Sequence, residues 1–170
     1  MKKYIDFDGV IVDTLPLIFA EWAKIPNYDS LSLEEKIYYA SKQNWKEILE
    51  KAQIINDSIN ALKSISTNDS AILTKVNSLE NEGIEKIKFL RRHGVKQEVI
   101  LVPFTVKKTD VVDPMLNILI DDTVHNLDEW QESGGRTFFF SKDDSDIDCY
   151  GVKNKTHTKI KTLKNIKYYV

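Results

Sequence analysis

The sequence predicts an α/β fold: a parallel sheet with helices on both faces, and a small all-helical segment inserted after the first strand. Three observations lead there. From residue 70 onward, short apolar runs alternate with segments of helical periodicity. Between residues 16 and 63, helical patterns follow one another with no strand candidate. Acidic and hydroxyl residues stand at the ends of the apolar runs, where a parallel sheet presents its carboxyl edge to a ligand.

The first strand is read from "KYIDF" and continues in apolar character through Val10, Ile11 and Val12. Gly9 permits a tight turn there. Four helical pieces follow. "PLIFAEWA" opens on a proline suited to a first helical turn. "SLEEKIYYA" has Ser32 and Glu35 spaced as a capping box. "NWKEILEKA" and "IINDSINALKSI" carry helical periodicity. Then come the strand "SAILT" (70–74), the helix "SLENEGIEKIKFLRRHG" closed by Gly94, and the strand "QEVILV". "NILID" (117–121) is a strand, "TVHNLDEWQESGG" a helix and "RTFFF" (136–140) another strand. This order implies a Rossmann-like parallel sheet. Residues 143–155 read as an irregular polar loop, and "TKIKTLKNIKYY" as a closing helix.

Composition narrows the class. A chain of 170 residues, 42% hydrophobic and 29% charged, can bury one sizeable core. A net charge of -2 argues against a binder of nucleic acid polymers. The lone Cys149 excludes an internal disulfide and suits a cytoplasmic protein. Asp6, Asp8 and Asp13 interrupt the N-terminal apolar stretch, which rejects a signal peptide, and no run is long enough to span a membrane.

Asp6 and Asp8 end the first strand, Thr74 the second, and Asp121 and Asp122 the fourth. Four carboxylates in one crevice demand a cation. Oxygen ligands without His or Cys favour Mg²⁺ or Ca²⁺ over zinc, and Mg²⁺ pairs with phosphorylated substrates. A carboxylate can also attack phosphorus to give an aspartyl phosphate. The turn at Gly9 would let Asp8 swing away from Asp6, leaving one acid to accept the phosphoryl group and the other to move protons.

These motifs resemble those of haloacid dehalogenase (HAD) superfamily phosphatases. "DFDGVIVDT" is similar to their first motif, "ILT" ending at Thr74 to the second, "KKTDVV" supplies the third motif's lysine, and "ILIDD" is similar to the fourth. Receiver domains combine comparable residues, but in a different order. The resemblance implies Asp6 as nucleophile and Asp8 as general acid, then base. It implies Mg²⁺ held by Asp6, the backbone carbonyl of Asp8 and Asp121. Asp122 would orient a metal-bound water or the lysine, and Asn126 would sit beside the metal. Gly9, Thr74 and the amide of Lys75 would meet phosphate oxygens. Lys108 would neutralise charge on the nucleophile and phosphoryl group, with Lys107 an alternative. Residues 16–65 would form a helical cap on a core of residues 1–15 and 66–170. "LIDD", the lysine followed by "TDVV", and "WQESGGRTFFF" resemble the 5'(3')-deoxyribonucleotidase branch, whereas "DGVIVDT" is equally similar to phosphosugar phosphatases. The implied partner is a small phosphorylated metabolite such as a nucleoside 5'-monophosphate. The alternatives are a phosphosugar phosphatase, a phosphotransferase, or a non-catalytic ligand-binding relative.

Other residues receive plainer readings. Trp22, Tyr38, Tyr39 and Trp45 are expected in the core of the insert, with one of them free to line a pocket. His93, His125 and His157 read as surface residues, Asp13 as a hinge residue bonding backbone, and "KDDSDID" as a solvated loop.

Overall fold

The computed structural model describes residues 1–168. Six parallel strands form the sheet: β1 (Lys3–Ile5), β4 (Ser70–Val76), β5 (Glu98–Pro103), β6 (Ile118–Asp121), β7 (Arg136–Phe140) and β8 (Thr158–Ile160). Their order is β5-β4-β1-β6-β7-β8. The strand order reverses at β1, so the crevice at its carboxyl end is the expected ligand site. Ile5 lies level with Ile72 of β4 and Ile120 of β6, which brings Asp6 beside the end of β6.

Both faces of the sheet are buried, which explains the near-continuous apolar strands. Successive side chains alternate between two clusters. Ile5, Ile72, Ile120, Phe138 and Phe140 pack on one side. Tyr4, Leu73, Leu119, Phe139 and Trp130 pack on the other. Helices α5 (Ile84–Arg92), α6 (Lys108–Val111) and α7 (Val124–Glu132) connect the strands.

The insert between β1 and β4 holds α1 (Leu15–Trp22), α2 (Leu33–Ser41), α3 (Trp45–Lys51) and α4 (Ser58–Lys63). Pro16 sits in the first turn of α1, and the Ser32–Glu35 capping box starts α2. Trp45, Ile48, Leu49, Ile59 and Leu62 join the same buried cluster as the sheet, so the second half of the insert is packed into the core.

Three elements differ from the sequence reading. The first strand stops at Ile5, and Val10–Val12 do not extend it. Phe7 to Val12 fold into a turn in which Ile11 and Val12 both donate to the Phe7 carbonyl, at 2.9 and 3.1 Å. Val12–Asp13 (β2) then pairs with Gln53–Ile54 (β3), so the insert does contain a strand. Two residues are too short a run for alternation to reveal. Finally, the closing segment is not one helix. Thr158–Ile160 joins the sheet as edge strand β8, and a 3₁₀ helix follows over Leu163–Tyr168. Buried Leu163 and Ile166 are three apart, the period of a 3₁₀ helix. The last residues of that expected helix, 169 and 170, lie outside the described residues.

Candidate active site

The carboxyl edge of the sheet opens into a cavity of about 530 Å³ under the first half of the insert. Asp6, Asp8, Lys108 and Asp122 form its floor, and Leu15, Ile18, Trp22, Tyr28, Lys36 and Ile37 of the insert face them. At the floor, Lys108 is buried between two acids, with Nζ 2.8 Å from Asp6 Oδ1 and 2.7 Å from Asp121 Oδ2. Asp121 is further held by Asn126 Nδ2 at 3.1 Å and by the Thr123 amide at 2.9 Å. Lys107 points elsewhere and pairs with Glu129 at 2.8 Å on the surface. Of the two lysines left open by the sequence, only Lys108 reaches the carboxylates.

The site is rich in negative charge. Carboxylate oxygens of Asp6, Asp121 and Asp122 lie within 4.8 Å of one another. Burial pushes the Asp6 carboxyl up to about 7; Lys108 counters this, while Asp121 and Asp8 add to it. Burial, then the Asp121 and Asp6 charges, likewise hold Asp122 well above the usual carboxylate range. Burial alone would lower Lys108, but Asp121 and Asp6 outweigh it and raise it. This donor set fits Mg²⁺: it is all oxygen, crowded, and short of positive charge. Asp6 and Asp121 would hold the ion, with Asp122 close enough to share it.

Gly9 makes this geometry possible. Its φ of 71° is a left-handed conformation, and an added Cβ would lie 2.0 Å from Asp122 Oδ2. Its N–H donates to the Val12 carbonyl at 2.9 Å. Asp8 sits just beyond, with Oδ1 accepting from Thr14 Oγ1 at 2.6 Å and Oδ2 from Lys86 Nζ at 2.5 Å. Thr74 is fully buried, and its hydroxyl accepts from the same Lys86 at 3.3 Å. At that strand end Lys75 and Asn77 line the cavity. Burial, then repulsion from Lys108, lowers Lys75, whose ammonium lies 5.9 Å from the centre of the Phe104 ring.

The remaining candidates separate clearly. Trp22 lines the cavity stacked on Tyr28, their centroids 5.1 Å apart. Trp45 forms part of the inner wall and is only 2% exposed. Tyr38 and Tyr39 are exposed and neither pack in the core nor line the cavity. His125 stays on the surface at the cavity edge, near Glu129. His157 is a correction: it is buried, bonded to Thr137 and Asp128 at 2.8 and 3.0 Å. Asp13 pairs with Lys142 rather than with backbone. The "KDDSDID" loop is less solvated than expected. Buried Asp148 accepts from the amides of Val124, Tyr150 and Val152, and so places Cys149 and Tyr150 on the cavity wall.

The sequence reading missed Lys86, Glu82, Cys149 and Tyr150. Glu82 and Lys86 are four apart, a pattern that reads as a surface ion pair on a helix. Nothing in the composition of the polar loop marks Tyr150.

No family model and no curated protein matches this chain. Solved structures do. A haloacid dehalogenase-like hydrolase from Streptococcus pneumoniae is 14% identical, with a TM-score of 0.63 over 99% of this chain and 98% of that one. A β-phosphoglucomutase from Clostridium difficile is 15% identical, with a TM-score of 0.63 over 99% and 93%. A chain described as a HAD-hydrolase from Bacillus subtilis, solved with magnesium, is 11% identical, with a TM-score of 0.61 over 99% and 97%. The chain therefore has the α/β fold of haloacid dehalogenase-like hydrolases.

Proposed function

We propose that this protein is a Mg²⁺-dependent phosphomonoesterase working through an aspartyl phosphate, with residues 16–65 as its cap. One observation carries the reading: buried Asp6 sits against Lys108 among further carboxylates and faces a cavity, with Asp8 two residues away. An Asp6 oxygen attacks phosphorus, and the bond to the leaving oxygen breaks as Asp8 gives that oxygen a proton. Asp8 then takes a proton from water, whose oxygen attacks the phosphoryl group and frees Asp6. Lys108 offsets charge on Asp6 and on the incoming phosphoryl group. Bound Mg²⁺ supplies electrostatic stabilisation of phosphoryl oxygens.

The cavity suits a small metabolite, with Lys75 and Lys36 available to anionic or polar groups. The rings of Trp22, Tyr28, Phe104 and Tyr150 on its wall support a nucleoside 5'-monophosphate, whose base can stack on an aromatic face. The test is phosphate release with Mg²⁺ from nucleoside monophosphates, sugar phosphates and an aryl phosphate, together with acid trapping of the phosphoenzyme. We expect release with Mg²⁺, none with EDTA, and label on Asp6. Faster turnover of sugar phosphates would remove the nucleotide assignment and leave the phosphatase. No release from any of them would remove both.

A further inference from the structure

We infer that Lys86 is a positioning residue that sets the orientation of the Asp8 carboxylate on the cavity floor, relative to Asp6. This rests on the phosphatase reading above.

Lys86 belongs to α5, and its side chain is completely buried. A buried ammonium is costly unless charge and hydrogen bonds compensate it. Glu82, 2.7 Å away, supplies the opposite charge. Stability alone would require no second acid. Yet Lys86 also reaches Asp8 at 2.5 Å, the Lys75 carbonyl at 3.2 Å and Thr74 Oγ1 at 3.3 Å. Two of these partners come from the strand that ends at the cavity, and one is the carboxylate assigned to proton transfer. With Thr14 on Oδ1 and Lys86 on Oδ2, neither Asp8 oxygen can rotate freely.

The backbone is shaped to deliver this ammonium. Leu79–Gly83 forms a π-helical turn before α5, a feature that recurs at functional sites. Glu82, in this turn, and Lys86, one turn on, are both buried and face the same side. Gly83 allows close packing on β5, since an added Cβ would meet Leu101 Cδ1 at 2.5 Å. Glu82 is anchored in turn by the Asn77 amide at 2.7 Å. The rings of Trp45 and Phe7, with centroids 4.9 and 5.3 Å from Nζ, close off the remaining approaches.

Positioning makes a prediction that structural support does not. In transfer of the phosphoryl group to Asp6, Asp8 matters most when the leaving oxygen needs a proton, as in an alkyl phosphate, and least for p-nitrophenyl phosphate, whose leaving group is already stable as an anion; in breakdown of the phosphoenzyme it matters equally for every substrate. Lys86→Met should slow phosphoenzyme formation, read in single turnover by rapid quench, at least about tenfold for a nucleoside monophosphate and much less for p-nitrophenyl phosphate. Lys86→Arg should recover part of the loss. In an Asp8→Asn background, Lys86→Met should add nothing further, because the two act as a unit. Equal losses on both substrates, or losses that multiply with Asp8→Asn, would overturn the assignment. If Lys86→Met does not fold by circular dichroism, Glu82→Gln decides. It loosens the ammonium's second anchor, so it should show the same substrate difference on a smaller scale, and equal losses again overturn it. The wild-type assay separates the two levels of inference. An inactive wild type removes the phosphatase reading and this one with it, whereas an active wild type with unselective variants removes only the positioning.

Discussion

The floor and the roof of the cavity are built differently. The floor brings five carboxylates (Asp6, Asp8, Glu82, Asp121 and Asp122) to two buried lysines, Lys86 and Lys108, and each lysine bridges two of the acids. The roof is made mainly of rings and aliphatic side chains, with Lys36 among them. The Trp22 indole N–H there is buried with no hydrogen bond among the described residues. In the floor, Asp6, Asp121 and Asp122 stand at the ends of adjacent strands β1 and β6 of the six-stranded sheet, so it can impose one chemistry. The roof is joined to it through short helices and a two-residue ribbon, so it can vary in what it admits. On the proposed function, chemistry and selection would belong to separate parts of the molecule.

The largest effects should come from breaking the floor. Asp6→Asn removes the proposed nucleophile and should abolish both turnover and trapped phosphoenzyme. Wild-type-like turnover in that variant would end the assignment. Asp8→Asn should follow, slowing turnover by about 10²–10⁴-fold while Asp6 still accepts the phosphoryl group. Phosphoenzyme that persists longer in this variant, followed by rapid quench, would show that breakdown suffers most.

Next comes the imbalance of charge. In the metal-free protein Asp6 is pushed up to about 7 and Asp122 is also raised. Folded carboxyls with raised pKa hold protons that the unfolded chain gives up, so stability falls as pH rises from about 4 through about 7. Mg²⁺ needs the ionised forms and must displace those protons. Its affinity should therefore be weaker at about pH 6 than at about pH 8. Calorimetry in buffers of different ionisation heat should show protons released on binding near pH 6. No proton release there would mean that the acids are already ionised without the metal.

Legibility follows the same division. The floor's main acids stood out because Asp6, Asp8, Asp121 and Asp122 interrupt or end longer apolar runs, "KYIDF" with Val10–Val12 and "NILID", where a charge is out of pattern. Lys108 was legible only as one of a pair, because adjacent lysines have the same composition and opposite surroundings, one at Asp6 and the other at Glu129. Lys86 was not legible at all. A Glu–Lys pair four apart reads as a solvated helix face, and nothing in the spacing says that Glu82 and Lys86 face the core. β2 and β8 escaped because "VD" and "TKI" mix apolar with charged residues over two or three positions, and their partners lie 40 to 42 and 20 residues away.

The smallest effects should come from the roof, and two tryptophans sharpen the contrast. Both line the cavity, yet Trp45 is almost wholly buried and carries the Lys86 ammonium over its ring, while Trp22 is half-buried beside Tyr28. Trp45→Leu removes core volume and uncovers a buried cation. It should cost roughly 2–5 kcal/mol of stability and depress turnover of every substrate alike. Trp22→Leu keeps apolar bulk but loses the ring. If the ring contacts a base, KM for nucleoside monophosphates should rise by about fivefold, the lower end of stacking energies, with p-nitrophenyl phosphate turnover and melting temperature little changed. Tyr150→Leu, at the exposed rim, should show the same selectivity on a smaller scale. Should Trp22→Leu instead lower stability and act on all substrates equally, its stack on Tyr28 is part of the packing. Selection would then fall to Phe104 and Tyr150 at the mouth of the cavity.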